Sequence, residues 1–200
     1  CTPKYLWCIF FIFVLNKKIM KAYQHNPINK FHTEVKINST TGSEIVTTSN
    51  AKDYMRVDTT ADDTLIGQMV TEARIIIENY LTKDIVAKTR SFYLAGVDDR
   101  FVLPFSPIAS IQSITIDGTA TTSYTTYGLD DTIVELEDLP SEDVIVNYTT
   151  SGMSDSLLYA ANLQLISTLY DNRADFIVGA TVNELPTNVK SILSSYKTPF

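Results

Sequence analysis

The sequence predicts an α+β fold: a small bundle of about four helices with an antiparallel β-sheet inserted between helices two and three. Three observations lead there. Apolar side chains recur at helical spacing before Leu81 and again after Ser154. Between them, from Lys88 to Ser151, the period falls to two residues and β-branched and aromatic types dominate. Turn signals such as Asp117-Gly118 and Gly128 punctuate that middle stretch.

The chain divides into three parts. The apolar run LWCIFFIFVL at residues 6–15 is shorter than the roughly 20 residues of an ordinary membrane helix. Lys17 and Lys18 follow it rather than precede it, and no small-residue cleavage site appears, so a signal peptide is not read either. The expectation is that Met20, opening MKAYQHNP, is the natural start and that residues 1–19 are an upstream or artefactual segment. A membrane-proximal anchor or a buried N-terminal strand are the rival readings, and a peptide from residues 1–19 in the natural protein would decide for them. Residues 20–43 read as an extended polar arm, with a short strand at Thr33–Ile37 where Val35 and Ile37 alternate with Glu34 and Lys36. Such an arm buries too little surface to order alone, so it orders against a neighbour. Residues 44–200 form the main domain.

Within that domain the helices are expected at 47–81 and 154–197 and the β insertion at 88–151. Thr47 or Thr48 caps a short helix through Ala51 to Met55. A longer helix follows, with Asp62 and Asp63 in its first turn and Leu65, Met69, Ala73, Ile76, Ile77 and Tyr80 as its buried face. The segments SFYLAG, RFVLPF, SIQSITIDG, TSYTTYG, DTIVELE and DVIVNYTTSG make about five or six strands. Ser154 is the expected cap of the third helix, whose stripe is Leu157, Leu158, Ala161, Leu165, Thr168 and Leu169. The fourth begins near Pro186 and carries Val189, Ile192, Leu193 and Tyr196.

The formal net charge is −7, but residues 1–60 hold eight basic against four acidic side chains, leaving −11 on residues 61–200. Such a surface repels nucleic acid, which disfavours direct DNA readout. Cys1 and Cys8 lie outside any patterned segment, so no disulfide framework is signalled and a reducing cytoplasm is the simplest setting. His25 and His32 both precede the domain, the seven glycines are scattered singly, and no phosphate loop or dinucleotide fingerprint appears. The chain is therefore not read as an enzyme, and neither a metal nor a cofactor is expected. The doublets Asp98-Asp99 and Asp130-Asp131 and the run EDLPSED at 137–143 lack calcium-loop spacing and read as solvated turns. Tyr124, Tyr127 and Tyr148 fit either half-buried sheet positions or a sugar-binding face, which keeps a β-rich attachment module as an alternative.

The order and spacing of several soft motifs resemble the head-tail connector, or adaptor, family of tailed bacteriophages. The matching pieces are EIVTTSNAKDYMRVDTTADDTLIGQMVTEARIIIENYL, the junction FVLPFSPIASIQSITIDG, the strand end VIVNYTTSG, and LYDNRADFIVG followed by LPTNVKSILSSY. The resemblance spans about Glu44 to Tyr196, and the arm at 20–43 is longer than the family pattern. It implies a structural virion protein forming a ring, by resemblance a dodecamer, beneath the portal and above the next tail or head-completion protein. DNA would pass through its channel without specific binding, no membrane would be involved, and assembly would take place in the host cytoplasm. Another virion ring protein, such as a stopper or tail-completion protein, is the nearest alternative.

Three residue groups follow from these readings. Tyr170, Asn172 and Arg173 are expected to lock the end of the third helix, where orphan carbonyls and positive charge favour donors. Val189, Ile192, Leu193, Tyr196, Pro199 and Phe200 are expected to dock on the portal, because the chain ends in an apolar tail. The turn bearing Asp117, Gly118, Thr119 and Thr122 is expected to touch the next tail protein.

Overall fold

The computed structural model describes residues 32–128, 132–172 and 185–197. Strand β1 (Thr33–Thr40) comes first, then helices α1 (Thr48–Met55) and α2 (Asp63–Leu81). Seven strands follow: β2 (Lys88–Val97), β3 (Phe101–Val102), β4 (Ile108–Ile116), β5 (Thr119–Thr121), β6 (Tyr124–Tyr127), β7 (Ile133–Leu136) and β8 (Ser141–Thr150). Helices α3 (Ser156–Asp171) and α4 (Thr187–Ser194) close the order. The α+β class and the four helices agree with expectation. The sheet is not wholly an insertion, however, because β1 precedes the helices and joins it.

Local chemistry sets the helix ends. Thr47 Oγ1 accepts the Asn50 N–H at 3.1 Å and caps α1. At α3 the cap is Asp155, not Ser154: its carboxylate accepts the Leu157 and Leu158 N–H groups at 2.8 and 3.0 Å. A carboxylate there also meets the positive end of the helix dipole, which a serine hydroxyl does less strongly. On α2 the buried face is Ile66, Met69, Val70, Ala73, Ile77 and Leu81, joined by Arg74 and Glu78. Ile76, expected inside, is 37% exposed. The face is turned toward the buried charges, and Ile76 falls outside it.

The strands form two antiparallel sheets rather than one. The larger runs β1-β2-β8-β4-β5 and the smaller β3-β7-β6. Their facing sides share one core, in which Phe101, Val134 and Leu136 of the small sheet meet Phe92, Ile114, Val144, Val146 and Tyr148 of the large one. A second core lies among the helices, with Ile66, Ala73 and Ile77 of α2 against Leu158, Ala161, Leu165 and Ile166 of α3 and Val189 and Leu193 of α4. Each such large side chain stabilises the fold by about 1.5–3 kcal/mol when fully buried. The Asp117-Gly118 turn has positive φ at both residues, 51° and 75°, as a tight hairpin of this hand requires.

Residues 82–87 connect the two cores. Thr41 and Gly42 donate their N–H groups to the Ala87 carbonyl, and Met153 N–H donates to Ile85 O at 3.0 Å. Gly152 takes a φ of 76° there, and a Cβ on it would lie 2.6 Å from Ile85 O. The end of the arm, the exit of β8 and the start of β2 thus meet at one place.

Candidate functional site

A buried ionic joint occupies that meeting place. Arg74 donates to Glu44 at 2.8 Å and to Glu78 at 2.7 Å. Glu78 also accepts Lys88 Nζ at 2.5 Å and the Ile85 and Val86 N–H groups. Asp84 accepts two bonds from Arg90, at 2.8 and 2.6 Å, one from Lys88 at 3.0 Å and one from Thr150 at 2.8 Å. Asp84 is 0% exposed, and Arg90 lies 3.6 Å over the Phe105 ring. Burial alone would raise the Asp84 pKa, but the bonds from Arg90, Thr150 and Lys88 outweigh it and hold the carboxyl below its ordinary range. For Arg74 burial lowers the pKa, while Glu44 and Glu78 raise it, for a net increase. Three carboxylates and three cations pair with one another, so the joint is balanced in formal charge.

The joint was not anticipated from sequence, although signals exist. Arg74 and Glu78 stand four apart inside an apolar helical face, and Lys88 and Arg90 occupy the same inward phase as Phe92 and Leu94. Charged types at core positions mark a paired network.

Two of the three residues expected at the end of the third helix, Tyr170 and Asn172, lie within the described residues. Tyr170 Oη donates to Asp62 Oδ2 at 2.7 Å, tying the end of α3 to the start of α2 rather than capping its own helix. Asn172 does cap α3: its backbone and side-chain N–H groups both donate to Thr168 O, at 3.0 and 2.9 Å. Arg173 lies outside the described residues. On α4, Val189 and Leu193 are 0% exposed and hold the helix to the bundle, while Ile192 is half-buried against it. Tyr196 Oη donates to both Asp155 oxygens at 2.6 Å, joining the end of α4 to the cap of α3. Burial first and that bond second push the Tyr196 pKa up to about 12. Pro199 and Phe200 lie outside the described residues. Asp117, Gly118, Thr119 and Thr122 are all exposed at the β4–β5 end of the large sheet.

The three tyrosines share no face. Tyr148 is 0% exposed and donates to Pro104 O at 2.6 Å, Tyr124 packs on the sheet core, and Tyr127 is exposed beneath Arg100. Among the described residues no three or more His, Cys, Asp or Glu gather to hold a metal ion, and no helix is long and apolar enough to cross a membrane.

Strand β1 has a different character. Every residue in it is exposed. Val35 pairs with Phe92 and Ile37 with Arg90, so both lie on the core-facing side of the sheet, yet they are 40% and 50% exposed. The core side continues past its own cover. Ala95 N–H donates to the His32 carbonyl at 3.0 Å, so by antiparallel alternation Thr33, Val35 and Ile37 turn their backbone groups away from β2. Among the described residues β1 is an open edge.

No family profile matches the chain, and no curated protein matches it in sequence. Solved structures do match in fold. A chain in the neck of an empty gene transfer agent (GTA) particle computed with C6 symmetry has a TM-score of 0.67 at 17% identity, covering 84% of this chain and 96% of that one. A chain in the virion of a native GTA particle gives 0.66 at 17% identity, covering 83% and 96%. A chain in the neck of a native GTA particle computed with C12 symmetry gives 0.65 at 16% identity, covering 84% and 96%. The chain has the fold of these proteins over nearly their full length.

Proposed function

We propose that this chain is a structural component of a virion neck: a ring-forming head-tail connector, or adaptor, between the portal and the next tail or head-completion protein. The observation that carries the reading is the fold shared with neck chains over almost their whole length. The independent resemblance of EIVTTSNAKDYM, FVLPFSPIAS and LYDNRADF to the connector family supports it. The sixfold and twelvefold symmetries named for those necks support a ring, with twelve copies as the proposed number.

Mechanism here is interface chemistry. Each copy meets the next through two different patches, and rotation closes the ring. The tail beyond α4, with Pro199 and Phe200, docks on the portal together with whatever of Ile192 and Tyr196 stays accessible. Val189 and Leu193 serve that contact by anchoring α4 in the bundle. The Asp117 to Thr122 turn faces the next tail component. The −11 carried by residues 61–200 suits a channel wall along which DNA slides without adhering. No catalytic step belongs to this reading, and the protein works in the virion after assembly in the host cytoplasm.

Cryo-electron microscopy of the particle vertex tests it. Density for residues 44–200 should form a ring against the portal. Finding the protein at the fibres, or absent from the particle, would overturn the reading, and contact with a component other than the portal would favour a stopper or tail-completion ring.

A further inference from the structure

We infer that β1 is a strap between neighbouring copies: its apolar side, Val35 and Ile37, seats on the exposed α2 stripe of the next subunit. The inference rests on the ring reading and says which two surfaces close the ring. A heterologous ring needs two unlike patches on each chain that fit one another. The described residues present two. One is Val35 and Ile37 on a strand whose core-facing side runs out from under its cover. The other is on α2, where Ile75 and Ile76 are 43% and 37% exposed. Exposed Glu72 and Asn79 stand three to four residues to either side of that pair, so the four share one helical stripe.

Charge selects a second copy as the occupant. Residues 20–43 carry Lys21, Lys30 and Lys36 against Glu34, a formal +2, while residues 61–200 carry −11. Two such acidic bodies repel when brought side by side. The arm's formal +2 offsets that repulsion when the strand lies on a neighbour, and Glu72 adjoins the apolar step on which the strand would rest. An edge strand exposed on every residue and carrying two aliphatic side chains on its inner side is a liability in a lone molecule. Covered by a neighbour, it becomes an interface.

The test compares three full-length proteins by native mass spectrometry and negative-stain microscopy: wild type, Val35→Asp/Ile37→Asp and Ile75→Asp/Ile76→Asp. All four positions are exposed, so circular dichroism and melting should stay near wild type. Wild type should form rings, and each variant should raise the concentration needed for assembly by about tenfold or more. Mixing the two variants restores one good interface per pair and should give dimers but no rings. A benzophenone side chain at position 37 should cross-link to residues 72–79 of a second copy. Rings that form equally well in both variants would overturn the strap and leave the ring reading standing. A wild-type protein that stops at dimers sensitive to both variants would keep the strap and overturn the ring. Cross-linking from position 37 to residues 6–15 of its own chain, or a wild type monomeric at its highest soluble concentration, would overturn the strap.

Discussion

Replacing Asp84 with Asn should destabilise the protein far more than any surface ion pair. Its carboxylate is 0% exposed and accepts two bonds from Arg90, one from Lys88 and one from Thr150. Asparagine keeps the shape and one acceptor oxygen, but it turns a balanced joint into one with an uncompensated positive charge beside Arg90 and Lys88, each 3% exposed. Removing one partner from a buried ion pair costs about 3–5 kcal/mol, because the other charge stays desolvated. For a domain of this size that lowers Tm by on the order of 10 °C. Arg100→Gln supplies the contrast, since its bond to Glu135 is half-exposed at 52% and 32% and should change stability by less than about 1 kcal/mol. The assay is urea denaturation of both variants at neutral pH. The acid limb gives a second readout. Because the folded pKa of Asp84 is lowered, its contribution is present above the unfolded value of about 3.9 and is lost as pH falls through the folded one. Wild type should therefore lose stability faster than Asp84→Asn below about pH 4. A loss under about 1 kcal/mol for Asp84→Asn, or an unchanged acid limb, would refute the reasoning.

Two further outcomes follow from the same region. Gly152→Ala should destabilise by about 2 kcal/mol or more, or fail to fold, because its Cβ would meet Ile85 O at 2.6 Å with φ at 76°; thermal melting checks it. Tyr196→Phe should cost about 1–2 kcal/mol by removing the bond to Asp155. With its folded pKa raised to about 12, Tyr196 contributes stability below the unfolded value near pH 10 that is lost as pH rises toward 12, so the variant should show a shallower alkaline decline in a pH series of melts.

Period and punctuation made most of the fold legible. The switch from helical to two-residue spacing marked the boundary near Lys88, and Asp117-Gly118 marked its hairpin because a tight turn with two positive φ angles favours that pair. What stayed hidden depended on contacts distant in sequence. Two sheets look the same as one until Phe101 pairs with Val134 and Tyr124 with Leu136. The α2 face was misplaced at Ile76 because apolar spacing alone gives no place to Arg74 and Glu78; once their partners Glu44 and Lys88 are known, the buried stripe turns toward them. Val189 and Leu193 were legible as an apolar face and were expected to dock on the portal; spacing alone does not show that the bundle itself buries them.

On the ring reading, the ionic joint would also bear on closure. Replacing a buried ion network with well-packed apolar residues is often neutral or stabilising, so stability alone does not account for its presence. Its bonds are directional where apolar contacts are not, and they fix the angle between the helical core and the sheet core through Glu78 on α2 and Lys88 and Arg90 on β2. On the ring reading, the strap is on the sheet and its seat is on the helix, so that angle enters every interface. In a twelvefold ring each step turns about 30°, and a small error repeated around the ring changes how many copies close it. The variant Asp84→Leu/Arg90→Met removes one carboxylate and one cation, leaving Glu44 and Glu78 against Arg74 and Lys88, and should therefore keep a Tm near wild type yet spread into rings of several sizes by native mass spectrometry. A single unchanged ring size in that variant would mean that packing alone fixes the angle, and the joint would then have no part in assembly.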